Sequence, residues 1–335
     1  AIPMGMGAFM ISGTQMFPNF KMQKANEKYM GSMAAVERSG QNYARNNLFF
    51  EAKMNYYEWV ILKKKIALLR ENESLLNFII KTGESRYTYN KEKLSNIYKA
   101  KAVLISLSNE ITDMENEIQQ KKVSLNTLLN RDKAYEFDID TSYIVKDPEA
   151  SSEQINTIAV KRSDIQILDQ NIKLNDLKRK VERSKRGLTY GVRYDHMQSF
   201  GEQPNLFTIM AMVNIPIVPW AAREYKANET GLKYETEAME KQREALLNNV
   251  TGALNSLIKQ INYKKKQLKL YETGILPALQ RTYKTTLLAY EQNTEDLFMV
   301  LDARQNYQMA QMEYLNQLQD LLLLQATYEK EAEIY

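Results

Sequence analysis

Displacing the chain on itself by 203 residues brings Tyr87 onto Tyr290, Asn90 onto Asn293, Leu94 onto Leu297, Ile97 onto Val300 and Ala100 onto Ala303. A sequence that repeats itself at one offset folds one module twice. Each matched stretch lies between two long helical patterns. Asn tolerates the left-handed backbone of a tight helix-to-helix turn, so each half is predicted to hold a helical hairpin with Asn at its tip. The halves also share a strand-to-helix junction: Met16-Phe17-Pro18-Asn19-Phe20-Lys21 is similar to Ile215-Pro216-Ile217-Val218-Pro219-Trp220, and Ala25-Asn26 to Ala227-Asn228. The division that follows is a first repeat over 1–130, a linker over 131–160 and a second repeat over 161–335.

Composition agrees with long helices. Only 12 Gly and 7 Pro occur in 335 residues, too few turn residues for a fold of many short strands. From Lys24 to Lys81 there is no Pro, and Leu62, Ile66, Leu69, Leu76 and Ile80 recur at helix-seam spacing, with Glu73 in one slot. Unbroken, these roughly 58 residues would make a rod of about 87 Å. Further helices are predicted over about Lys93 to Asn130 and Ser152 to Lys185, with a turn-rich stretch at Tyr135 to Ser152 between them. A seam through Leu247, Val250, Leu254, Leu257, Ile261, Leu268 and Tyr271, broken by Lys264, is expected to stop near Pro277. The last helix carries Ala303, Tyr307, Ala310, Tyr314, Gln317, Leu321, Leu324 and Tyr328.

Two segments have a period of two instead. Leu188, Tyr190, Val192 and Tyr194 alternate with Thr189, Gly191, Arg193 and Asp195; after a turn at Gly201 to Asn205, Phe207, Ile209, Ala211, Val213 and Ile215 alternate with Thr208, Met210, Met212 and Asn214. They read as a β-hairpin over 188–215. Met4 to Phe17 reads as another strand or short hairpin, with Phe9 and Ile11 against Met10 and Ser12. Each hairpin strand has the 9 to 11 residues that cross a bilayer at a slant, and Tyr190, Tyr194, Phe207 and Trp220 are of the types favoured at membrane interfaces. A soluble hairpin covering a helix layer fits the same pattern.

Several function classes are excluded or disfavoured. The chain has no Cys and one His, His196, which removes thiolate nucleophiles, zinc fingers and His-dependent triads. No Gly-rich phosphate loop or paired acids suggest an enzyme. Lys and Arg total 45 against 41 Asp and Glu, a net charge of +4, which is no nucleic-acid footprint. No run of 18 apolar residues encodes a membrane-crossing helix, and Ala1-Ile2-Pro3-Met4-Gly5 has neither the basic start nor the apolar core of a signal peptide. The 16 Met residues, including Met4, Met6, Met10, Met210 and Met212, invite a soft-metal reading, but apolar filling explains them. No cofactor is expected.

Four stretches resemble the TolC-like outer membrane factor family, the exit ducts of bacterial efflux pumps and type I secretion. They are Ile275-Leu276-Pro277-Ala278 with Leu288-Ala289-Tyr290-Glu291-Gln292-Asn293; Asp296 to Ala303; Arg86-Tyr87 through Ala100-Lys101; and Lys161-Arg162-Ser163-Asp164-Ile165. The likeness runs from about Met10 to Tyr328. It implies a mostly α fold with a small β part, in which long antiparallel helical hairpins form an α-barrel and three copies contribute strands to one transmembrane β-barrel in the outer membrane, with the helices in the periplasm. It also implies a periplasmic adaptor and an inner-membrane RND or ABC transporter as partners, and no catalysis. One hairpin alone leaves two unpaired edges, which lipid does not tolerate unless other subunits close the sheet.

The sequence departs from the family in places. The first strand and what precedes it are shortened before Met10. Asn90 and Asn293 stand where Gly is usual, and Ser163 replaces Pro. The resemblance implies that the tips close like an iris. Asp302 matches an acidic ring position, while Met299 stands at the other. Glu295 takes the place of a gate Arg, Ser95 and Asn96 the places of Thr and Asp, and Tyr290 is retained. Asp302 is therefore expected as a selectivity ring, and Tyr290, Glu295, Ser95 and Asn96 as an altered latch. Tyr89, Asn90, Lys91, Gln292, Asn293 and Thr294 are expected to dock the adaptor. The competing readings are a soluble or peripheral coiled-coil scaffold, which leaves the hairpin without a role, and the adaptor itself, whose single hairpin normally sits in Gly-rich β domains.

Overall fold

The computed structural model describes residues 7–146, 152–200, 204–215 and 219–334. The elements run β1 (Gly7–Phe17), α1 (Phe20–Tyr87), α2 (Leu94–Leu128), α3 (Ser152–Lys161), α4 (Ser163–Ser184), β2 (Thr189–Phe200), β3 (Leu206–Asn214), α5 (Pro219–Leu270), a π-helical turn (Tyr271–Ile275), α6 (Leu276–Glu291) and α7 (Leu297–Ala332). They fall into two compact units, Ala1–Tyr43 with Val160–Asn249 and Ala44–Ala159 with Val250–Tyr335. Each unit joins segments from both halves of the chain. Among the described residues no helix is long and apolar enough to cross a membrane.

The first unit contains an antiparallel sheet in the order β1-β2-β3. Its register pairs Ile11 with His196, Gly13 with Tyr194 and Phe17 with Tyr190, then Tyr194 with Ile209 and Tyr190 with Val213. Since facing residues share a side, Phe9, Ile11, Phe17, Tyr190, Val192, Tyr194, Phe207, Ile209 and Val213 lie on one face, and all are exposed. The opposite face carries Ser12, Thr14, Arg193, Asp195, Thr208 and Asn214 among methionines. At the start of α1, Asn19 Oδ1 accepts from the N–H groups of Lys21 and Met22 at 3.0 and 3.3 Å, and its amide donates to the Ser184 carbonyl at 2.9 Å. Gly187 permits this closeness, because a Cβ there would lie 2.0 Å from Asn19 Nδ2. A polar layer ties α4 to α5: buried Asn175 donates to the Leu232 carbonyl (2.9 Å) and to Thr236 Oγ1 (3.1 Å).

In the second unit the expected seams are the core. Leu62, Ile66, Leu69, Leu76 and Ile80 of α1 are buried, as are Val250, Leu254, Leu257, Ile261 and Leu268 of α5. The polar residue in each seam finds a partner on a neighbouring helix: Glu73 accepts from Ser108 at 3.3 Å, and Lys264 donates to Gln317 at 2.6 Å and Asp320 at 3.0 Å. Residues 131–146 cross α1 without regular structure. There Phe137 packs edge-on against buried Trp59 with centroids 5.1 Å apart, and Asp138 pairs with Lys63 at 2.8 Å. Further along, Glu329 is buried between Lys53 and Lys146. Burial alone pushes its carboxyl up, but the two lysine hydrogen bonds and charges outweigh that and hold it below the usual range.

Three expectations change. The helix over Ser152 to Lys185 is interrupted: Arg162 is extended, with φ −60° and ψ 144°, and α4 starts afresh at Ser163, with Asp164 accepting from the N–H of Ile165 at 2.8 Å. Ser163 thus occupies the first helical position, which suits Pro because no intrahelical partner awaits its N–H. Pro277 does not end its helix. The preceding π-helical turn leads into α6 with helical dihedrals throughout, leaving Pro277 in the first turn of α6, where its missing N–H is tolerated. The N-terminal segment is a single strand from Gly7; Met4 and Met6 lie outside the described residues, as does the side chain of Trp220.

Candidate functional site

Both expected tips, in the second unit, close with the same backbone motif. After α1, Asn90 has φ 56°, its N–H reaches the Tyr87 carbonyl at 3.0 Å, and the Lys91 N–H reaches Arg86 at 3.0 Å. After α6, Asn293 has φ 59°, and the corresponding bonds run from Asn293 to Tyr290 (3.0 Å) and from Thr294 to Ala289 (2.9 Å). This paired closure, with a left-handed residue just past the helix, satisfies carbonyls the helix end would leave free. Asn fills the position since its short polar side chain lowers the cost of positive φ. Asn130 closes α2 in the same way, with φ 49°.

A latch of five side chains joins the two tips. Tyr290, only 2% exposed, donates its hydroxyl to Glu92 Oε2 at 2.9 Å. Glu92 Oε1 accepts from the Lys93 N–H at 2.8 Å and from Asn96 Nδ2 at 3.0 Å. That Asn96 amide also reaches Asp296 Oδ1 at 3.3 Å, and Asp296 caps α7 by accepting from the Phe298 N–H at 2.5 Å. Arg86 donates from Nη1 to the Tyr290 carbonyl at 2.6 Å and from Nη2 to the Glu291 carbonyl at 2.9 Å, with its guanidinium carbon 4.1 Å from the Tyr290 ring centroid. Arg86 therefore covers the negative C-terminal end of α6, where a cation is favoured. Burial, and then the Glu92 carboxylate, push the Tyr290 hydroxyl far above the ordinary tyrosine range, against the opposing pull of Arg86.

Beneath the latch lies an apolar cluster including Leu76, Ile79, Ile80, Ala100, Tyr290, Leu297, Val300 and Leu301. Gly83 faces it. A Cβ there would stand 3.3 Å from Leu297 Cδ2 and 3.5 Å from Ile97, so this α1 surface is fitted to the start of α7.

Of the residues singled out from sequence, Tyr290 and Asn96 meet in the latch. Ser95 and Glu295 are exposed and stand outside it. Asp302 is exposed on α7 and accepts from Asn306 at 3.1 Å. Tyr89, 75% exposed, projects from the first tip beside exposed Asn90 and Lys91, and Gln292, Asn293 and Thr294 are exposed on the second. Sequence reasoning gave no latch role to Arg86, Glu92 or Asp296. Asp296 carried a signal, as an acid directly before an apolar helical run is an N-cap pattern. Glu92 stands four residues before Asn96, which did not disclose that it also meets Tyr290.

The sheet is the second candidate feature. Tyr190, Tyr194 and Phe207 stand on its apolar face, while the opposite face carries the ion pair of Arg193 Nε with Asp195 Oδ1 at 2.8 Å.

Neither a family model nor a curated protein sequence matches the chain. Solved structures do. The outer membrane protein VceC of Vibrio cholerae is 13% identical, over 98% of this chain and 86% of that one, with a TM-score of 0.75. CusC, described for its transmembrane channel formation, is 12% identical over 98% and 83%, with a TM-score of 0.79. The MtrE outer membrane channel of Neisseria gonorrhoeae, solved in its open state, is 14% identical over 98% and 80%, with a TM-score of 0.74. The chain has the TolC-like fold of these outer membrane channels.

Proposed function

We propose that the chain is one of three subunits of an outer membrane channel, a passive exit duct that receives substrates from a periplasmic adaptor and an inner-membrane transporter of the RND or ABC class. The observation that carries this reading is the three-stranded sheet: one face largely exposed and mainly apolar, with Gln15, His196 and Gln198 its polar members, the other bearing Arg193 and Asp195, and outer edges on β1 and β3 unpaired among the described residues. An apolar exposed face of this extent calls for a non-aqueous neighbour, and open edges in lipid call for further strands. Three copies closing one barrel meet both needs, with the charged face toward a water-filled lumen. In this reading the internal repeat places two similar hairpins in each subunit, with their tips at the periplasmic end. A coiled-coil scaffold has no use for such a sheet, and an adaptor normally carries one helical hairpin in Gly-rich β domains, not two in tandem.

The tip latch is proposed as the gate, with Tyr290, Glu92, Asn96, Asp296 and Arg86 holding the hairpins together. Ser95 and Glu295, exposed in the packed state, and Asp302 are proposed to face copies of themselves or the lumen in the assembled duct. Three Asp302 carboxylates about 6 Å apart would repel by roughly 0.7 kcal/mol per pair in water and nearer 3 kcal/mol at an effective dielectric of 20, so they would draw cations in. The exposed tip residues from Tyr89 to Lys91 and from Gln292 to Thr294 are proposed to dock the adaptor. Export energy comes from the inner-membrane partner. The test is electrical: the purified full chain should insert into planar bilayers with stepwise conductance, and failure to form pores would reject the duct.

A further inference from the structure

Arg304 on α7 is 2% exposed. A guanidinium has five N–H donors and keeps its charge in proteins, yet its one hydrogen bond here is from Nη2 to the backbone carbonyl of Asn72 on α1, at 3.2 Å. Nε is buried without a partner, and so is the hydroxyl of Tyr283 on α6. Among the described residues no carboxylate pairs with Arg304. Alongside lies a cavity of about 390 Å³, lined by Arg304 with Ser106, Glu110, Gln308, Glu313 and Asn316 among others; neither glutamate forms an ion pair with Arg304, and the cavity is polar and roomy enough to hold water. Burial holds Arg304 below the ordinary arginine range and raises Tyr283, in keeping with a cation and a phenol both short of solvation.

A buried charge without a counter-ion penalises the state that buries it. The latch contacts favour the packed tip; Arg304, immediately after Ala303 of the apolar cluster beneath it, acts with the opposite sign. We propose that Arg304 is a positioning residue for the gate, a cation without a paired counter-ion that raises the free energy of the packed α6–α7 hairpin and is relieved when α7 shifts and water reaches the buried Nε. This rests on the gate reading above. It makes the closed state metastable by construction, so that a partner pulling on the tips need not supply the whole opening free energy.

The test compares the full-length parent with Arg304→Met, which keeps the length and removes the charge, and Arg304→Lys, which keeps the charge. In planar bilayers the open probability of Arg304→Met should fall tenfold or more, with single-pore conductance unchanged, and backbone hydrogen exchange over residues 297–307 should slow. Arg304→Lys should stay within about threefold of the parent. If Arg304→Met melts at a higher temperature but gates like the parent, the residue is merely structural and the proposal fails. It also fails if Arg304→Met opens more readily, since the guanidinium would then be a tie between α7 and α1. A parent that forms no pore rejects the duct itself. Hydrogen exchange would then still judge Arg304, because unchanged exchange in Arg304→Met overturns the proposal.

Discussion

Replacing Tyr290 by Phe removes one oxygen from the tip and leaves the ring in place. The lost bond is from a buried hydroxyl to a carboxylate at 2.9 Å, a class worth about 1.5–3 kcal/mol. The low end applies, because Glu92 is only half-buried and keeps its bonds from Asn96 and the Lys93 N–H. Arg86 contacts the Tyr290 and Glu291 carbonyls and the ring face, all of which Phe retains. About 1.5 kcal/mol is a factor of roughly ten in an equilibrium, so Tyr290→Phe should raise open probability in bilayers about tenfold. Glu92→Gln should act similarly, and the double variant should add little to either single change, with a coupling of about 1 kcal/mol or more expected for groups in contact. If Tyr290→Phe gates within twofold of the parent while Glu92→Gln opens the pore, the hydroxyl is no part of the gate. Strictly additive effects would show that the bond does not act in the closed state.

Other outcomes follow from the same contacts. Tyr290 has its folded-state pKa raised above the unfolded value of about 10, so its contribution is fully present below pH 10 and lost as pH rises through the folded value; protection of the tip amides, taken relative to their base-catalysed intrinsic exchange rate, should hold at pH 10 and fall only at higher pH. Glu329 has the opposite sign: its lowered pKa gives stability present above the unfolded carboxylate range and lost as pH falls through the folded value, so acid thermal melts of the parent should fall more steeply than those of Glu329→Gln. At the tips, Asn90→Ala and Asn293→Ala should each cost about 1 kcal/mol by thermal denaturation, because Ala pays the full penalty of positive φ, whereas Gly at either site should be neutral. Asp302→Asn should reduce cation over anion selectivity and block by divalent cations; unchanged block would defeat the acidic ring.

What could be read from the sequence was whatever local periodicity encodes. The seams at Leu62 to Ile80 and Leu247 to Leu268 follow from a helix's need to bury one stripe, and the sidedness of Tyr190, Tyr194, Phe207 and Ile209 from the alternation of a strand. Asn90 and Asn293 announced their turns because few residues accept positive φ. Features depending on distant partners were hidden. Glu92 and Tyr290 are 198 residues apart in sequence, and neither position alone implies the bond. Ser95 and Asn96 are neighbours, but a helix turns about 100° per residue, so only Asn96 is carried under the opposite tip. The break at Arg162 lacked the Pro that would have marked it, and Pro277 suggested a stop that the π-helical turn removes. Arg304 follows the seam residue Ala303, where a charged side chain ordinarily reads as a solvated flank. Residues 131–146 have no period, and Phe137 takes its place from Trp59 on α1 and from Arg131 and Tyr135 beside it.

The duct reading depends most on the sheet β1-β2-β3 being completed by other copies in lipid. Native mass spectrometry of the full chain, extracted in mild detergent and then transferred to surfactant-free buffer, addresses this most directly. The expected result is a particle of three copies in detergent that precipitates or aggregates once detergent is removed. A single copy that stays dispersed and soluble in plain buffer would contradict it.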